Sequence, residues 1–97
     1  MNKEIRKKFE EVAIKHNKMR LYHYTDALKL IDECEKQKVK ILGFDSFKLF
    51  PDNKIQPFME FSPDYSNMEI SLTWDKARKD INICYQNNNQ FIYEIVY

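Results

Sequence analysis

Two histidines, two cysteines and fifteen acidic side chains are the residues of this 97-residue chain whose types suit chemistry. Nucleophilic catalysis needs a thiol or hydroxyl beside a base, and a third group to orient that base. Cys34 and Cys84 fall instead on the apolar stripes of expected helices, away from the helix N-termini that favour a thiolate. They read as reduced core thiols. His16 sits in a densely charged stretch and reads as a surface residue. His16 and His23 stand seven residues apart with no Cys or carboxylate at ligand spacing, so no metal and no cofactor is expected. A single glycine cannot build a phosphate-cradling loop. Asp32, Glu33 and Glu35 share a helix with Lys29 and Lys36 and read as a solvated face. With no catalytic residue in view, the chain reads as a binding protein rather than an enzyme.

The elements that must position these residues follow from apolar periodicity. Ile5, Phe9, Val12 and Ala13 recur at helical spacing and predict a helix over 3–17, making 1–20 a basic amphipathic arm before a core of 21–97. A second helix starts near Asp26, capped by Thr25 or Asp26, with Ala27, Leu28, Ile31 and Cys34 as its stripe. Val39–Gly43 reads as a strand closed by the only glycine, which marks a backbone angle or a close approach that a Cβ would obstruct. Residues 44–53 read as a long turn, and Lys54–Phe61 as a strand that Pro57 confines to an edge. A third helix over 73–86 gathers Trp74, Ala77, Ile81, Cys84 and Tyr85, and stops at Asn87-Asn88-Asn89, where Asn tolerates left-handed geometry. Phe91–Tyr97, apolar on both faces, reads as a central strand. The expected fold is a single α+β domain of order α-α-β-β-α-β.

Charge narrows the partners. The net charge of +1 excludes a generically basic nucleic-acid binder, although residues 1–20 hold seven basic against three acidic side chains. Such an arm can touch RNA, but the preferred reading is a solvated helix face, so no direct nucleic-acid contact is expected. Residues 43–70 reverse the balance, with Asp45, Asp52, Glu60, Asp64 and Glu69 against Lys48 and Lys54. Phe44, Phe47, Phe50, Phe58, Phe61 and Tyr65 are interleaved with them. No apolar run is long enough for a membrane span, and the mixed-charge start is not that of a signal peptide. A cytoplasmic protein with reduced thiols is expected.

Two resemblances bear on function. Leu21-Tyr22-His23-Tyr24-Thr25 resembles the H-Y-T segment of ADP-ribosyltransferase-like domains, which implies that His23 would hold a nicotinamide nucleotide's ribose, with Glu94 as a conceivable catalytic acid. Residues 27–97 resemble, over a longer stretch, the polymorphic-toxin immunity protein forty family and the immunity proteins of tRNA-cleaving colicins. The likeness rests on Lys40-Ile41-Leu42-Gly43-Phe44-Asp45-Ser46-Phe47 after a helix, on Ile55-Gln56-Pro57-Phe58-Met59-Glu60-Phe61-Ser62, and on Trp74 opening a helix before a final apolar strand. It implies a one-to-one complex that covers the active site of a cognate toxin domain, a basic nuclease. The acidic, aromatic stretch suits such a partner, because charge speeds encounter and aromatic anchors carry affinity. The candidate partner-binding residues are therefore Asp45, Phe47, Asp52, Glu60, Asp64, Tyr65 and Trp74. A generic protein-binding adaptor remains the other non-enzymatic reading.

Overall fold

The computed structural model describes residues 3–58, 60 and 62–97. Along them run α1 (Lys3–Lys8), β1 (Ile14–His16), β2 (Met19–Leu21), α2 (Tyr24–Lys36), β3 (Gly43–Leu49), β4 (Ile55–Phe58), α3 (Ile70–Asn87) and β5 (Phe91–Val96). The α+β class is as expected. Strands β4, β3 and β5 form an antiparallel sheet in that order, and β1 and β2 pair as a separate hairpin. Of the expected strand Lys54–Phe61, Met59 and Phe61 lie outside the described residues, as do Met1 and Asn2 of the arm.

The pleat of the sheet divides its side chains between two cores. Phe44, Phe91, Tyr93 and Ile95 face α2 and α3 and join Leu30, Ile31, Ala77 and Ile81 in the main core. Phe47 and Ile92, opposite one another across β3 and β5, point the other way and are covered by Leu21, Ile14 and Met19 of the hairpin. The sheet is thus sandwiched between a helical layer and a small hairpin layer.

That second core explains the largest departure from expectation, the helix over 3–17. Only Lys3–Lys8 is helical; the chain unwinds through Phe9–Ala13, and Ile14–Leu21 forms a hairpin around Asn17, whose φ is 55°. Val12, placed on the helical stripe by its spacing, is 41% exposed. A six-residue helix is marginal alone, and covering Phe47 and Ile92 with Ile14, Met19 and Leu21 outweighs its extension. Ile14 and Leu21 are cross-strand partners, which is period-two geometry rather than helical. The hairpin tip is tied down where His16 Nε2 donates to the Asn53 carbonyl at 3.1 Å.

The strand expected at Val39–Gly43 and the turn at 44–53 are displaced relative to the structure. Val39–Leu42 are outside any strand, and β3 begins at Gly43. Helix α2 ends with Lys38 in left-handed geometry (φ 60°) and Val39 N–H returning to the Cys34 carbonyl at 2.8 Å. This is a Schellman stop, which consumes the residues read as a strand. At its start α2 has His23 as cap residue with no side-chain cap bond, so neither Thr25 nor Asp26 caps it. Helix α3 ends at Asn87, as expected, but Asn88 is extended (φ −156°) rather than left-handed.

Strand β4 lies at the sheet edge with Pro57 in it, as expected. Strand β5 is flanked by β3 on one side and, on the other, by a two-bond bridge between Tyr22 and Tyr93 with both N–H to O distances at 2.8 Å. Among the described residues its outer edge is therefore closed by backbone pairing at that level. The centre of the three-stranded sheet is β3.

Candidate functional site

Three of the candidate contact residues are core. Trp74 is buried, its Nε1 donating to the Val39 carbonyl at 2.8 Å and its ring 5.5 Å from the Lys38 ammonium. Phe47 is buried under the hairpin. Tyr65 is 2% exposed, and its hydroxyl donates to Asp80 Oδ2 at 2.6 Å. None of the three offers a ring to a partner, which corrects the reading of Phe47 and Tyr65 as anchors and of Trp74 as a contact. The reason is common to all: their rings fill gaps that smaller residues would leave empty, Trp74 and Tyr65 in the helical core and Phe47 under the hairpin.

The acidic candidates do not form one patch. Asp52 lies in the turn between β3 and β4, where its carboxylate accepts from the Lys54 backbone N–H and sits 3.5 Å from the Lys54 ammonium. Asp64 lies at the other end of β3, bridged to Gly43, with the Ser66 backbone N–H holding its carboxyl below the usual range. Seven residues of strand separate these ends by roughly 20 Å. Asp45 is half-buried on the hairpin side of the sheet, directly opposite Glu94. Desolvation first, and Asp45 second, push the Glu94 carboxyl above its ordinary value. Neither carboxylate has an ion-pair partner among the described residues. Leu42 (38% exposed) and Val96 (40% exposed) flank this pair, joined by a Leu42 N–H to Val96 carbonyl bond of 2.7 Å.

The exposed Glu60 lines a hollow on the helix side of the sheet. The hollow encloses about 290 Å³ between β3, Glu60, Ser62, Pro63 and α3, with the buried Phe44 and Cys84 at its floor, Pro63 and Ile83 along its walls, and Asp80 and Glu60 as its charges. Gly43 makes the wall possible. An added Cβ there would stand 2.4 Å from the Pro63 carbonyl oxygen, so only glycine lets this segment lie against β3, where Phe44 N–H donates to the same oxygen at 3.3 Å. The expectation of a close backbone approach at Gly43 is met at this contact.

Asp80 is held in place from two sides. Tyr65 occupies Oδ2, and Lys76 one turn earlier donates to Oδ1 at 3.1 Å. Burial, then Asp80 itself, pushes the Tyr65 phenol upward, so it stays a donor. Each carboxylate oxygen keeps a lone pair for another donor, and the Lys76 pair is a weak surface contact. Apolar lining residues beside the Asp80 and Glu60 carboxylates suit a Lys or Arg side chain, whose methylene stem packs while its head is paired. The volume falls at the lower edge of the range for ligand sites, about 300–1,000 Å³, enough for one such side chain.

Sequence reading missed Asp80 and Ile83. The available signal was positional: they border the stripe Ala77, Ile81, Cys84 on α3, and residues there line whatever packs beside the stripe. The acids dismissed as a solvated face also have partners. Arg78 on α3 bonds Asp32 at 2.9 Å and Asp75 at 2.7 Å, and pairs with Glu35, tying α3 to α2. Both cysteines are free and buried, and burial drives the Cys34 thiol up to about 12.

His23 is exposed at the start of α2, and Glu94 faces the hairpin side of the sheet. Counting from the Tyr22–Tyr93 bridge sets Leu21, not His23, level with Glu94. No group of His, Cys, Asp and Glu with metal-binding geometry occurs among the described residues, and no helix among them is long and apolar enough to cross a membrane. No protein-family model, curated protein or solved structure matches this chain.

Proposed function

We propose that this chain is a cytoplasmic immunity protein, without catalysis of its own, that binds one-to-one to a basic toxin domain and blocks its active site. The observation that carries the reading is the hollow of about 290 Å³ whose apolar walls end in the Asp80 and Glu60 carboxylates. It is a socket for a lysine or arginine of the partner. A nuclease must carry such cations to hold phosphates, and an inhibitor that captures one withdraws it from substrate. Asp45, Glu94 and Asp64 add negative charge at one end of the sheet, beside the exposed Leu42 and Val96, and form the second half of the contact. The charge arrangement favours fast encounter, and the buried stem and paired head favour slow release.

The test is co-expression with the toxin domain encoded beside this chain, followed by measured association of the purified pair. The expected result is suppressed toxicity, a one-to-one complex, and binding weakened tenfold or more by Asp80→Asn with Glu60→Gln. Toxicity that persists despite soluble, folded protein would overturn the reading. Tight binding to a non-toxic partner would move the case to a general adaptor. Binding of a nicotinamide dinucleotide that is lost on His23→Ala would move it to the ADP-ribosyltransferase-like alternative.

A further inference from the structure

The basic arm is not a helix with a solvated face. The fold bends it so that Arg6 of α1 and Lys15, Lys18 and Arg20 of the hairpin surround one hollow. That hollow encloses about 370 Å³, and Asn17 and Met19 complete its lining. A narrower one of about 70 Å³ shares Arg6, Lys18 and Arg20 and reaches Tyr22, Glu94 and Tyr97. Glu10 bridges Lys15 at 2.5 Å and Arg20 Nε at 3.0 Å. It thereby fixes two of the cations while leaving the outer guanidinium nitrogens of Arg20 without a bonded partner among the described residues. Arg6 lies within hydrogen-bonding reach of the Tyr97 side chain. Lys18 is exposed and has no ion-pair partner among the described residues. Four cations against Glu10 and Glu94 leave the hollow positive.

We infer that this hollow between α1 and the β1–β2 hairpin binds the phosphates of a single-stranded nucleic acid. Guanidinium forks and ammonium groups set around a concavity match phosphate oxygens. A protein partner needs an apolar or aromatic anchor, and the larger hollow offers only the half-buried Met19. An anionic membrane favours a convex or flat basic face with apolar residues beside it, which a recessed cluster does not provide. The absence of such contact expected from the sequence rested on a helix that would have spread these charges around its circumference; the hairpin gathers them. The inference does not depend on the immunity reading, because none of the four cations lines the acidic socket.

The test is fluorescence anisotropy of labelled oligouridine RNA and oligothymidine DNA with the full chain. Binding is expected at low salt, with a slope of log affinity against log salt between about −1.4 and −2.8, as two to four phosphate contacts on a single strand require. The double variant Lys15→Gln/Lys18→Glu should weaken binding tenfold or more. Lys29→Gln/Lys79→Glu, an equal charge change on α2 and α3, should alter it less than twofold. Circular dichroism establishes that the variants are folded, and Lys18→Glu alone, which breaks no ion pair among the described residues, serves if the double variant is not. Three results would each overturn the inference: no binding of either oligonucleotide at low salt, equal losses in both double variants, or displacement of the RNA by polyglutamate as readily as by unlabelled RNA. The last would assign the hollow to an acidic protein segment.

Discussion

Gly43→Ala adds a single methyl group, and the fold has no room for it. The new Cβ would lie 2.4 Å from the Pro63 carbonyl oxygen and 3.4 Å from the Asp64 Cα, on a residue with φ of 158°. Both obstacles are backbone, so no rotamer relieves them. Restoring van der Waals distance requires the 62–65 segment to withdraw by about 1 Å. That lengthens the 3.3 Å bond from Phe44 N–H to Pro63 beyond use and strains the 2.7 Å bond from Tyr65 N–H to Leu42. Overpacking costs about 1–3 kcal/mol and a lost hydrogen bond about 0.5–1.5 kcal/mol. The lower chain entropy of unfolded alanine returns less than about 1 kcal/mol. The expected net loss is about 1–4 kcal/mol, a large share of the roughly 5–15 kcal/mol that holds a small domain folded. Urea denaturation should show a lower midpoint at unchanged slope, with Tm lower by about 5–25 °C. Unchanged or raised stability would refute the reasoning. It would mean that the 62–65 segment yields freely, so that the wall of the acidic socket is not preformed.

Tyr65→Phe removes a charge-assisted bond of 2.6 Å to Asp80 and should cost about 1–2 kcal/mol in chemical denaturation; a neutral result would mean Asp80 turns to another donor. Burial pushes Cys34 up to about 12 and Cys84 upward, so neither thiol should react freely with a disulfide reagent at pH 8. Cys84, at the floor of a hollow, should be labelled first and Cys34 only as fast as the chain unfolds; the reverse order, read by mass spectrometry, would contradict the burial. The hydrogen bonds from Lys15 and then Arg20 hold the Glu10 carboxyl down to about 2. Its contribution to the hairpin is therefore present above the unfolded value of about 4.3 and lost as pH falls toward 2. A carboxyl titration by NMR with a midpoint at the unfolded value would show that the bridge is not formed.

How far the sequence discloses this fold depends on how many faces of each element are buried. Helices α2 and α3 each bury one stripe, and Ala27, Ile31, Cys34 and Ala77, Ile81, Cys84 mark those stripes at helical spacing. Strand β3 is buried on both faces. Phe44 serves the helical core and Phe47 the hairpin core, and a separation of three with Asp45 and Ser46 between them shows no period of two. The hairpin was hidden for a related reason: its apolar residues Ile14, Met19 and Leu21 make sense only against Phe47 and Ile92, which lie distant in sequence. The same limit applies to the socket. Glu60 was legible as an acid in an aromatic stretch, but its neighbours Asp80 and Ile83 reach it only through the packing of α3. Asp52 and Asp64, adjacent in composition, are separated by the length of β3.

The Asp45–Glu94 pair allows the outer sheet face to be tested without a partner in hand. Like charges placed directly across an antiparallel ladder oppose folding by about 0.2–1 kcal/mol, here toward the lower end because the pair is half-exposed and water screens it. Glu94 has its folded pKa raised, by desolvation first and Asp45 second. In the window between its unfolded and folded values the native state binds more protons, so its contribution falls as pH rises through that window. Glu94→Gln keeps the shape and removes the charge. The variant should be more stable than the parent at pH 7 and equal to it below about pH 4, where unfolded glutamate is also protonated. A pair that weakens the fold at neutral pH is retained at a cost, and a cation brought by the partner would relieve it. If Glu94→Gln instead destabilises the chain at pH 7, Glu94 is already paired within the fold, with Arg6 or Arg20 across the shared hollow as the available donors. The negative end of the sheet would then be committed internally, and the contact with a basic partner would have to rest on the Asp80–Glu60 socket alone.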